Sequence, residues 1–589
     1  MQKIKEFFKK YQTGTEYGLS FLLTAGIIQA MGKTLTREYL LAVLIFVAAR
    51  AIVKYSFAHC NKRRFKFAAF FSVPFSLIFW FGRKVVYQSI ILEKFGLLDI
   101  PNILTFLVIF TLATICALSF IDEKAFKPGK TGGKLFKKKN WLFCSLIILA
   151  CWLPIFLAFF PGLISVDSAV QIRQVVGERG WSNWHPVLHT LFLSGPINLG
   201  YGITGDLTAG IALATILQMI LLAVIFGYTV NWITEKTTKK WISVAFLIFF
   251  ALSPVVACYA VTMWKDILFS AIFMLLIIKL IDFINVYKRE EQINFAKIVP
   301  ILALVLLVGF LRNGGALIIL TLGIAMVIYF KKSRKIFALS FAGVLAITLV
   351  VQGPGYKALN IESSPFMESM SVPAQQLGYL AQTNKLDDEA VQNLSKYADV
   401  ECLKTKYSPM NADPAKNCFD YNVVEEDKAG LISVWVDNLT KHFKEYIKSY
   451  VLHTYSYWYI YGDMWVLDIT HTHDDIWLKT DYTDVSLLGE PIRDGIADVE
   501  HGLTVSSWLG WMNNVGVLFW GVLFVLLVII YQKRYKLLIP LVCILIYMAS
   551  LLIASPVSWI FRYVYSLILI LPVLITNCFI SEKKGGTKK

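Results

Sequence analysis

Charged side chains are scarce in this sequence. Asp, Glu, Lys and Arg together make up 16% of its 589 residues, whereas 57% of the residues are hydrophobic. A soluble protein of this length needs more polar surface, so the composition excludes a soluble multidomain enzyme. The same composition excludes a disordered chain, a collagen and a coiled coil.

What the sequence has instead is a series of long apolar runs. Stretches of about 17–25 apolar residues recur along most of the chain, and that length crosses a hydrocarbon core roughly 30 Å thick. We therefore predict an all-α polytopic membrane protein with about 14 transmembrane helices. A further apolar stretch at 186–200 is short and broken by proline, and we interpret it as re-entrant or interfacial. The spans are expected near 15–31, 38–58, 66–82, 101–120, 141–160, 207–233, 241–257, 264–285, 296–311, 314–330, 336–352, 512–531, 537–554 and 562–580.

Acidic residues are scarce outside one segment, and this explains the net charge of +17. Residues 353–510 hold 24 acidic and 12 basic side chains, whereas the rest of the chain holds 16 acidic and 45 basic ones. This split indicates two compartments, and we predict no nucleic-acid partner. Basic residues concentrate on alternate loops, which predicts cytoplasmic termini and an extracytoplasmic position for 161–206 and 353–510.

These features divide the chain into five predicted parts. The 353–510 part is expected to be an extracytoplasmic domain that is mainly α or α+β. No small-residue cleavage site follows the first apolar run, so we predict an uncleaved first helix. The parts are four N-terminal transmembrane helices at 1–121, a basic cytoplasmic linker at 122–140, a transmembrane core at 141–352 with an outer loop at 161–206, the extracytoplasmic domain at 353–510, and three C-terminal transmembrane helices with a basic cytoplasmic tail at 511–589.

Cysteine is rare outside the predicted spans. Cys402 and Cys418 are the only two of the nine cysteines in the 353–510 segment. Outside the cytoplasm a disulfide can form between them, and such a bond typically contributes about 2–4 kcal/mol to stability. We predict this disulfide, and the alternative is a pair of free buried thiols.

One acidic residue stands out in the predicted outer loop. Charged residues near a membrane are costly and usually line a site or a cavity. Asp167 follows the Pro161-Gly162 turn and lies near the predicted membrane surface. Its carboxylate can accept a proton from a hydroxyl as a bond forms. The alternative is a helix N-cap, a position at which Asp and Ser are ordinary.

Aromatic and histidine side chains follow in the same loop. Trp184 is predicted at headgroup depth and precedes His185, and His189 comes one helical turn later. The two histidines are candidates for binding an acceptor or for ligating a metal. Interfacial packing is the favoured alternative.

Three cations and one more acid lie at the predicted outer ends of other helices. Lys265 and Asp266 begin one span, Arg312 lies in a tight hairpin, and Arg562 lies at the start of the last span. The three cations can bind a phosphate, and Asp266 would help to organise that phosphate or the acceptor. The alternatives are interface anchors, snorkelling side chains and an acid favoured by the helix dipole.

These residues belong to short motifs: PGxxSxDS at 161–168, WHPxxHT at 184–190, WKD at 264–266 and RNG at 312–314, with Gln171 and, more weakly, Arg562-Tyr563. With these motifs the sequence resembles a group of bacterial GT-C-fold membrane glycosyltransferases. The resemblance covers roughly 141–352 and, more loosely, 511–580.

The resemblance implies a GT-C-like fold in a bacterial plasma membrane and a glycosyl transfer, usually with inversion. The donor would be a sugar on polyprenyl phosphate, and the acceptor a cell-wall polysaccharide, a teichoic acid or a glycolipid. Asp167 would be the catalytic base, and the cations would stabilise the departing phosphate. The candidates for substrate binding are Lys265, Asp266, Arg312, Arg562, Gln171, Trp184, His185 and His189.

We expect no cofactor. Many GT-C members carry two neighbouring acids in this loop, whereas here Glu178 lies eleven residues after Asp167, so we favour a metal-independent reaction. The segment 471–475 contains two histidines and two aspartates, which are metal-ligand types, but a solvated loop is the favoured interpretation.

Two other functions stay open. A transporter or flippase for a lipid-linked glycan needs charged residues along a central path, which the predicted spans mostly lack. A non-catalytic scaffold in the cell envelope would use 353–510 for partner contacts, and Asp167 would then be dispensable.

Overall fold

The computed structural model describes residues 12–30, 39–88, 96, 99–124, 140–287, 289–462, 464–467, 483–506 and 508–580. In these residues the regular secondary structure is helical, and β pairing is limited to isolated bridges. The predicted all-α polytopic membrane fold is confirmed. The predicted tail, most of the basic linker and the segment 471–475 lie outside the described residues.

The first part of the chain is a succession of apolar helices with two helices in the predicted outer loop. Each predicted span in this part contains a helix. In chain order the helices are α1 Gln12–Ala30, α2 Tyr39–His59, α3 Lys62–Gln88, α4 Asp99–Glu123, α5 Asn140–Ala158, α6 Val166–Val175, α7 Val187–Thr204, α8 Leu207–Lys236, α9 Lys240–Leu252, α10 Pro254–Ala260, α11 Lys265–Val286, α12 Phe295–Leu311, α13 Gly315–Tyr329 and α14 Arg334–Val350.

The second part contains the shorter helices of the 353–510 segment and three further apolar helices. They are α15 Ser371–Gln382, α16 Asp388–Leu394, α17 Val400–Lys406, α18 Tyr421–Glu426, α19 Lys428–Lys441, α20 Phe443–Trp458, α21 Glu490–His501, α22 Val515–Tyr531, α23 Leu538–Ala554 and α24 Tyr565–Phe579. Single α-helical turns lie at Tyr356–Ala358, Asp413–Lys416 and Trp508–Trp511.

The apolar helices differ in length. Among the described residues nine helices are long and apolar enough to cross a membrane, and α9 with α10, bent by 52°, forms a tenth span if the pair is counted as one. The apolar helices α12, α13 and α22 have 17, 15 and 17 residues. Because a helix rises about 1.5 Å per residue, each of these three is shorter than a hydrocarbon core of roughly 30 Å.

The prediction that proline breaks the 186–200 stretch was wrong. Helix α7 continues from Val187 to Thr204 with Pro196 inside it. Proline is tolerated in an apolar helix where neighbouring segments surround it. Here α7 packs closely on α8, because a Cβ atom at Gly200 would lie 2.5 Å from the Gly210 Cα atom.

The described residues form two compact units. The first contains the described parts of 1–126, 523–533 and 577–581, and the second contains the described parts of 127–522 and 534–576. In the first unit α1 packs on α2, and α3 packs on α4. Asp122 accepts hydrogen bonds there from Arg64 Nη2 at 2.8 Å and from the Tyr531 hydroxyl at 2.7 Å. The five predicted parts of the chain stay a prediction.

The core of the second unit begins where α5 crosses α8. The Trp152 indole is fully buried and donates to the Phe250 carbonyl at 3.0 Å. Gly227 allows the two helices to approach, because a Cβ atom there would lie 2.5 Å from the Trp141 carbonyl oxygen and 2.8 Å from the Ser145 amide nitrogen. The α5–α8 contact therefore has no room for a larger side chain.

The 353–510 segment has a hydrophobic core of its own. Its described residues include the buried side chains of Leu377, Leu394, Leu403 and Leu431, which pack together. The sulfur atoms of Cys402 and Cys418 are bonded to each other. The described residues of this segment are mainly α-helical. Of the two predicted alternatives, mainly α and α+β, the structure agrees with the first.

Gly227→Val is expected to lower the thermal unfolding midpoint of the purified protein. Forcing methyl groups into a packed contact typically costs about 1–3 kcal/mol. The matched control is Gly343→Val on α14, because a Cβ atom at Gly343 meets nothing within 4 Å. Equal midpoints for the two variants in detergent would contradict the α5–α8 contact.

Candidate functional site

Two loops pair through their backbones and set the position of the candidate site. After α5 the chain turns at Pro161-Gly162, and the Leu163 amide donates to the Val261 carbonyl at 2.8 Å. In return the Met263 amide donates to the Leu163 carbonyl at 3.2 Å. The start of α6 is therefore fixed beside the start of α11.

Ser165, rather than Asp167, is the N-cap of α6. The Ser165 amide donates to the Ser168 hydroxyl oxygen at 3.3 Å, and the Ser168 hydroxyl donates to the Met263 carbonyl at 2.7 Å. The N-cap interpretation of Asp167 was therefore wrong. Asp167 is the second residue of the helix, and its carboxylate pairs with cations from other elements.

The Asp167 carboxylate lies between two cations. Its Oδ2 atom accepts a hydrogen bond from Arg562 Nη1 at 2.8 Å and lies 3.7 Å from Lys265 Nζ. Burial on its own raises the pKa of the Asp167 carboxyl, but the charges of Arg562 and Lys265 outweigh it and hold that pKa well below its usual range. Asp167 is therefore ionised at any physiological pH.

Lys265 also fixes the protonation of His185. The Lys265 Nζ atom lies 2.9 Å from His185 Nδ1. An ammonium group can only donate, so Nδ1 is the acceptor and the ring proton is on Nε2. Burial, followed by the charge of Lys265, lowers the pKa of His185 to about 3. The neutral imidazole therefore presents an N–H donor at Nε2.

A second buried chain of hydrogen bonds joins α6 to α7. Gln171 Nε2 donates to the Thr190 hydroxyl oxygen at 2.9 Å, and Gln171 Oε1 lies 3.0 Å from His189 Nδ1. Because an amide oxygen only accepts, His189 Nδ1 carries the proton. The Nε2 atom of His189 is then a lone-pair acceptor, and it has no hydrogen-bond partner among the described residues.

Arg312 and Asp266 form an ion pair beside this group. Arg312 Nη1 lies 3.5 Å from Asp266 Oδ1, and the guanidinium lies 4.5 Å from the centre of the Tyr547 ring. The next residue, Asn313, donates from its side-chain amide to the carbonyls of Asn183 and Trp184 at 3.3 Å. The hairpin between α12 and α13 therefore contacts both the cation cluster and the loop before α7.

Two tryptophans border the cluster. The Trp264 indole donates to the Ser165 hydroxyl, and the Arg562 guanidinium lies 5.1 Å from the centre of the Trp264 ring. Trp184 is 38% exposed, and the Arg179 guanidinium lies 5.6 Å from its ring centre. Trp264 thus contacts a cation of the cluster, whereas the ring of Trp184 contacts Arg179 and lies parallel to the His185 ring, with the ring centres 6.2 Å apart.

The loop that carries Arg562 is held by the 353–510 segment. The Ala412 amide donates to the Pro556 carbonyl at 2.8 Å, and the Phe561 amide donates to the Trp465 carbonyl at 2.9 Å. His453 Nε2 lies 2.9 Å from the Ser555 carbonyl oxygen. The 353–510 segment therefore determines where Arg562 can reach.

The structure brings the predicted site residues into one region of the second unit. Asp167, Lys265, His185 and Arg562 form connected contacts, and the charges of Asp266 and Arg562 also interact. Gln171 contacts His189 rather than the cations.

Sequence reasoning missed Ser165, Asn313 and His453, which support the site residues. The Ser-x-x-Ser pattern at the start of α6 could have indicated the first of them, whereas nothing in the sequence indicates His453.

The cluster combines three cations with two carboxylates. It suits an anion better than a metal ion, because Lys and Arg repel metal cations and bind phosphate well. Among the residues the structure describes, no three His, Cys, Asp or Glu side chains are grouped so that they could hold a metal ion.

The chain matches the model of a protein family. The chain belongs to the DUF6020 family. The model of this family, which is described as a family of unknown function, matches residues 177–589. The match includes the two histidines and the three cations of the site and begins after Asp167 and Gln171. No curated protein and no solved structure matches the chain.

Lys265→Met is expected to raise the pKa of His185. The substitution removes one of the two main causes of the low pKa, the neighbouring positive charge, and leaves burial in place. The pKa can be read from histidine ring carbon resonances in detergent micelles, with His185→Gln to assign the signal. An unchanged titration would contradict the Lys265–His185 contact.

Proposed function

We propose that this protein is a membrane glycosyltransferase of the GT-C type. It would move a sugar from a polyprenyl-phosphate donor to a hydroxyl of a cell-envelope glycan or glycolipid. The observation that carries the proposal is the pairing of one carboxylate, Asp167, with two cations, Lys265 and Arg562, at one end of a set of apolar spans. This grouping offers a base and a phosphate site within one side-chain length of each other.

The cations support a phosphate-bearing donor. Arg562 and Arg312 present planar guanidinium groups, and Lys265 adds a point charge, which together match the negative oxygens of a phosphate. A lipid-linked donor would keep its polyprenyl chain in the hydrocarbon while its phosphate reaches this end of the spans. Preorganised positive groups of this kind are typically worth about 10²–10³ in rate.

Asp167 is proposed as the base in transfer. The acceptor oxygen attacks the anomeric carbon and its proton goes to an Asp167 carboxylate oxygen. The bond between that carbon and the phosphate oxygen breaks, and the phosphate leaves with the bonding electrons. Attack from the side opposite the phosphate inverts the configuration.

The ion pairs explain how a carboxylate with a depressed pKa can serve as a base. While Arg562 and Lys265 neutralise Asp167, its affinity for a proton is low. A donor phosphate competes for the same two cations. Once they turn toward the phosphate, the basicity of Asp167 rises, so binding of the donor prepares the base.

The remaining site residues are proposed to recognise hydroxyl groups. His185 can donate from Nε2, and His189 can accept at Nε2, so the pair offers opposite hydrogen-bonding roles. Gln171 orients His189, and Asp266 orients Arg312. The exposed part of Trp184 supports an apolar contact with a sugar.

The proposed location is the outer face of a bacterial plasma membrane, with both termini in the cytoplasm. The concentration of Lys and Arg on alternate loops supports this orientation of the chain in the membrane. The bond between Cys402 and Cys418 supports an extracytoplasmic 353–510 segment, because disulfides persist in oxidising compartments. The loop at 161–206 would face the same compartment.

The distribution of charge favours a transferase over a transporter or flippase. On α11 the acid Asp282 pairs with Lys236 at 2.6 Å and Lys279 donates to the Tyr228 hydroxyl at 2.7 Å, near the end away from the site. Lys265 and Asp266 occupy the other end. The described middle of α11, from residue 267 to residue 278, carries no charged side chain.

Asp167→Asn is expected to abolish transfer. The amide cannot accept the proton as a carboxylate does. The measurement compares the cell-envelope glycans of a deletion strain complemented with wild type or with the variant, by mass spectrometry at matched protein levels. Loss of the same sugar in the deletion and the Asn strains is the expected result.

The matched control for this test is Asp206→Asn. Asp206 is an exposed acid that caps α8, and asparagine keeps that cap. Because Asp167→Asn also removes the counter-charge of Arg562, the folded fraction of each variant is measured by size-exclusion chromatography. A folded Asp167→Asn protein that restores the wild-type glycan would overturn the transferase proposal and favour a scaffold.

Arg312→Ala is expected to weaken use of the donor more than use of the acceptor. The substitution removes a positive charge from the proposed phosphate site. Initial rates in proteoliposomes, with donor and acceptor varied separately, would show a higher KM for the donor. Equal effects on the two substrates would argue against a phosphate contact, and Arg334→Ala, at the far end of α13–α14, is the control.

A further inference from the structure

Helix α21 has three faces of different chemistry. An α-helix turns about 100° per residue, so residues at i, i+4 and i+7 form one stripe along it. One stripe is apolar and is formed by Ile492, Ile496 and Val499. The next stripe, one residue on, is formed by Arg493, Ala497 and Glu500, and the third by Asp494, Asp498 and His501.

The stripe that faces the protein is the second one. Ala497 and Glu500 are buried at 3% and 2% exposure. Arg493 Nη2 pairs with Asp484 Oδ2 at 2.8 Å, and its guanidinium lies 5.3 Å from the centre of the Phe159 ring. The helix therefore turns a stripe with two charged residues inward.

The apolar stripe is turned away from the protein. Ile492 is 50% exposed and Val499 is 60% exposed, and Ile496 between them is half-buried, although isoleucine and valine are ordinarily buried. The charged third stripe is also exposed, and it lies about 200° around the helix from the apolar one. The exposed surface of α21 is thus divided into an apolar side and a charged side.

Hydrogen bonds place α21 at the end of two membrane spans. The Leu487 amide donates to the Leu157 carbonyl at 2.9 Å, and the Val485 amide donates to the Phe160 carbonyl at 3.0 Å, at the C-terminal end of α5. The Thr483 amide donates to the Thr208 hydroxyl oxygen at 3.0 Å, in the first turn of α8. The segment that leads into α21 therefore lies at the same membrane depth as the C-terminal end of α5 and the N-terminal end of α8.

We propose that α21 is an interfacial helix whose Ile492–Ile496–Val499 stripe is buried in the acyl chains of the adjacent lipid leaflet. Lipid covers the apolar stripe, water contacts the Asp494–Asp498–His501 stripe, and the protein binds the stripe between them. Such a division is what a helix in the plane of an interface requires. Insertion does not need anionic lipid, because α21 carries four acidic residues and one arginine. The inference is independent of the proposed enzymatic function.

The test uses the full-length protein with one environment-sensitive fluorescent amino acid. The probe replaces Val499 or, as a matched control on the charged third stripe, Asp498. Each protein is placed in nanodiscs of phosphatidylcholine and in nanodiscs whose phosphatidylcholine carries bromine on its acyl chains. At 499 the emission is expected at shorter wavelength and is expected to be quenched by bromine, whereas at 498 neither effect is expected.

Two outcomes would overturn the inference. Equal bromine quenching at 499 and 498 would mean that the apolar stripe contacts the acyl chains no more than the charged stripe does. A short-wavelength emission at 499 that bromine does not quench would mean that another protein surface, such as a second copy of the chain, covers the stripe. A probe at Ile492 repeats the test if the Val499 variant does not elute as a folded protein in size-exclusion chromatography.

Discussion

The ion pair between Asp167 and Arg562 is the constraint around which the site is organised. A carboxylate enclosed near a membrane needs a counter-charge, because a charge without a partner is costly in a medium of low dielectric constant. The two residues are 395 positions apart in sequence. The paired loops before α6 and α11 fix one partner, and the ring of Trp264 supports the other. Several separate parts of the second unit therefore position the Asp167–Arg562 ion pair.

The 353–510 segment contributes to this contact without supplying a charge to it. Its residues hold the loop before Arg562 through backbone bonds at Ala412 and Trp465 and through His453. A segment with its own core and disulfide is thus a support for a side chain near the C-terminus. A disturbance in this segment would reach the carboxylate through the guanidinium and would need no direct contact with Asp167.

The fold could be predicted from the sequence because apolar run length is a direct consequence of membrane thickness. Proline at 196 misled the prediction, since packing against α8 at Gly200 keeps α7 continuous. The candidate site could be predicted in part, because Asp167, Lys265 and Arg562 are charges that a membrane makes expensive. Which charges would pair depends on tertiary contacts over hundreds of residues, and no local pattern contains that information. The support from His453 depends on the same long-range packing.

The position of Arg562 has a consequence for how the protein is made. Synthesis proceeds from the N-terminus, so the Asp167 carboxylate enters the membrane region long before its closest counter-ion exists. Lys265, at 3.7 Å, is the earlier of its two cations in the chain. The ion pair between Asp167 and Arg562 can therefore form only after residue 562 has been synthesised. A chain that stops before Arg562 keeps most of its helices and still lacks the ion pair with Asp167 at the site.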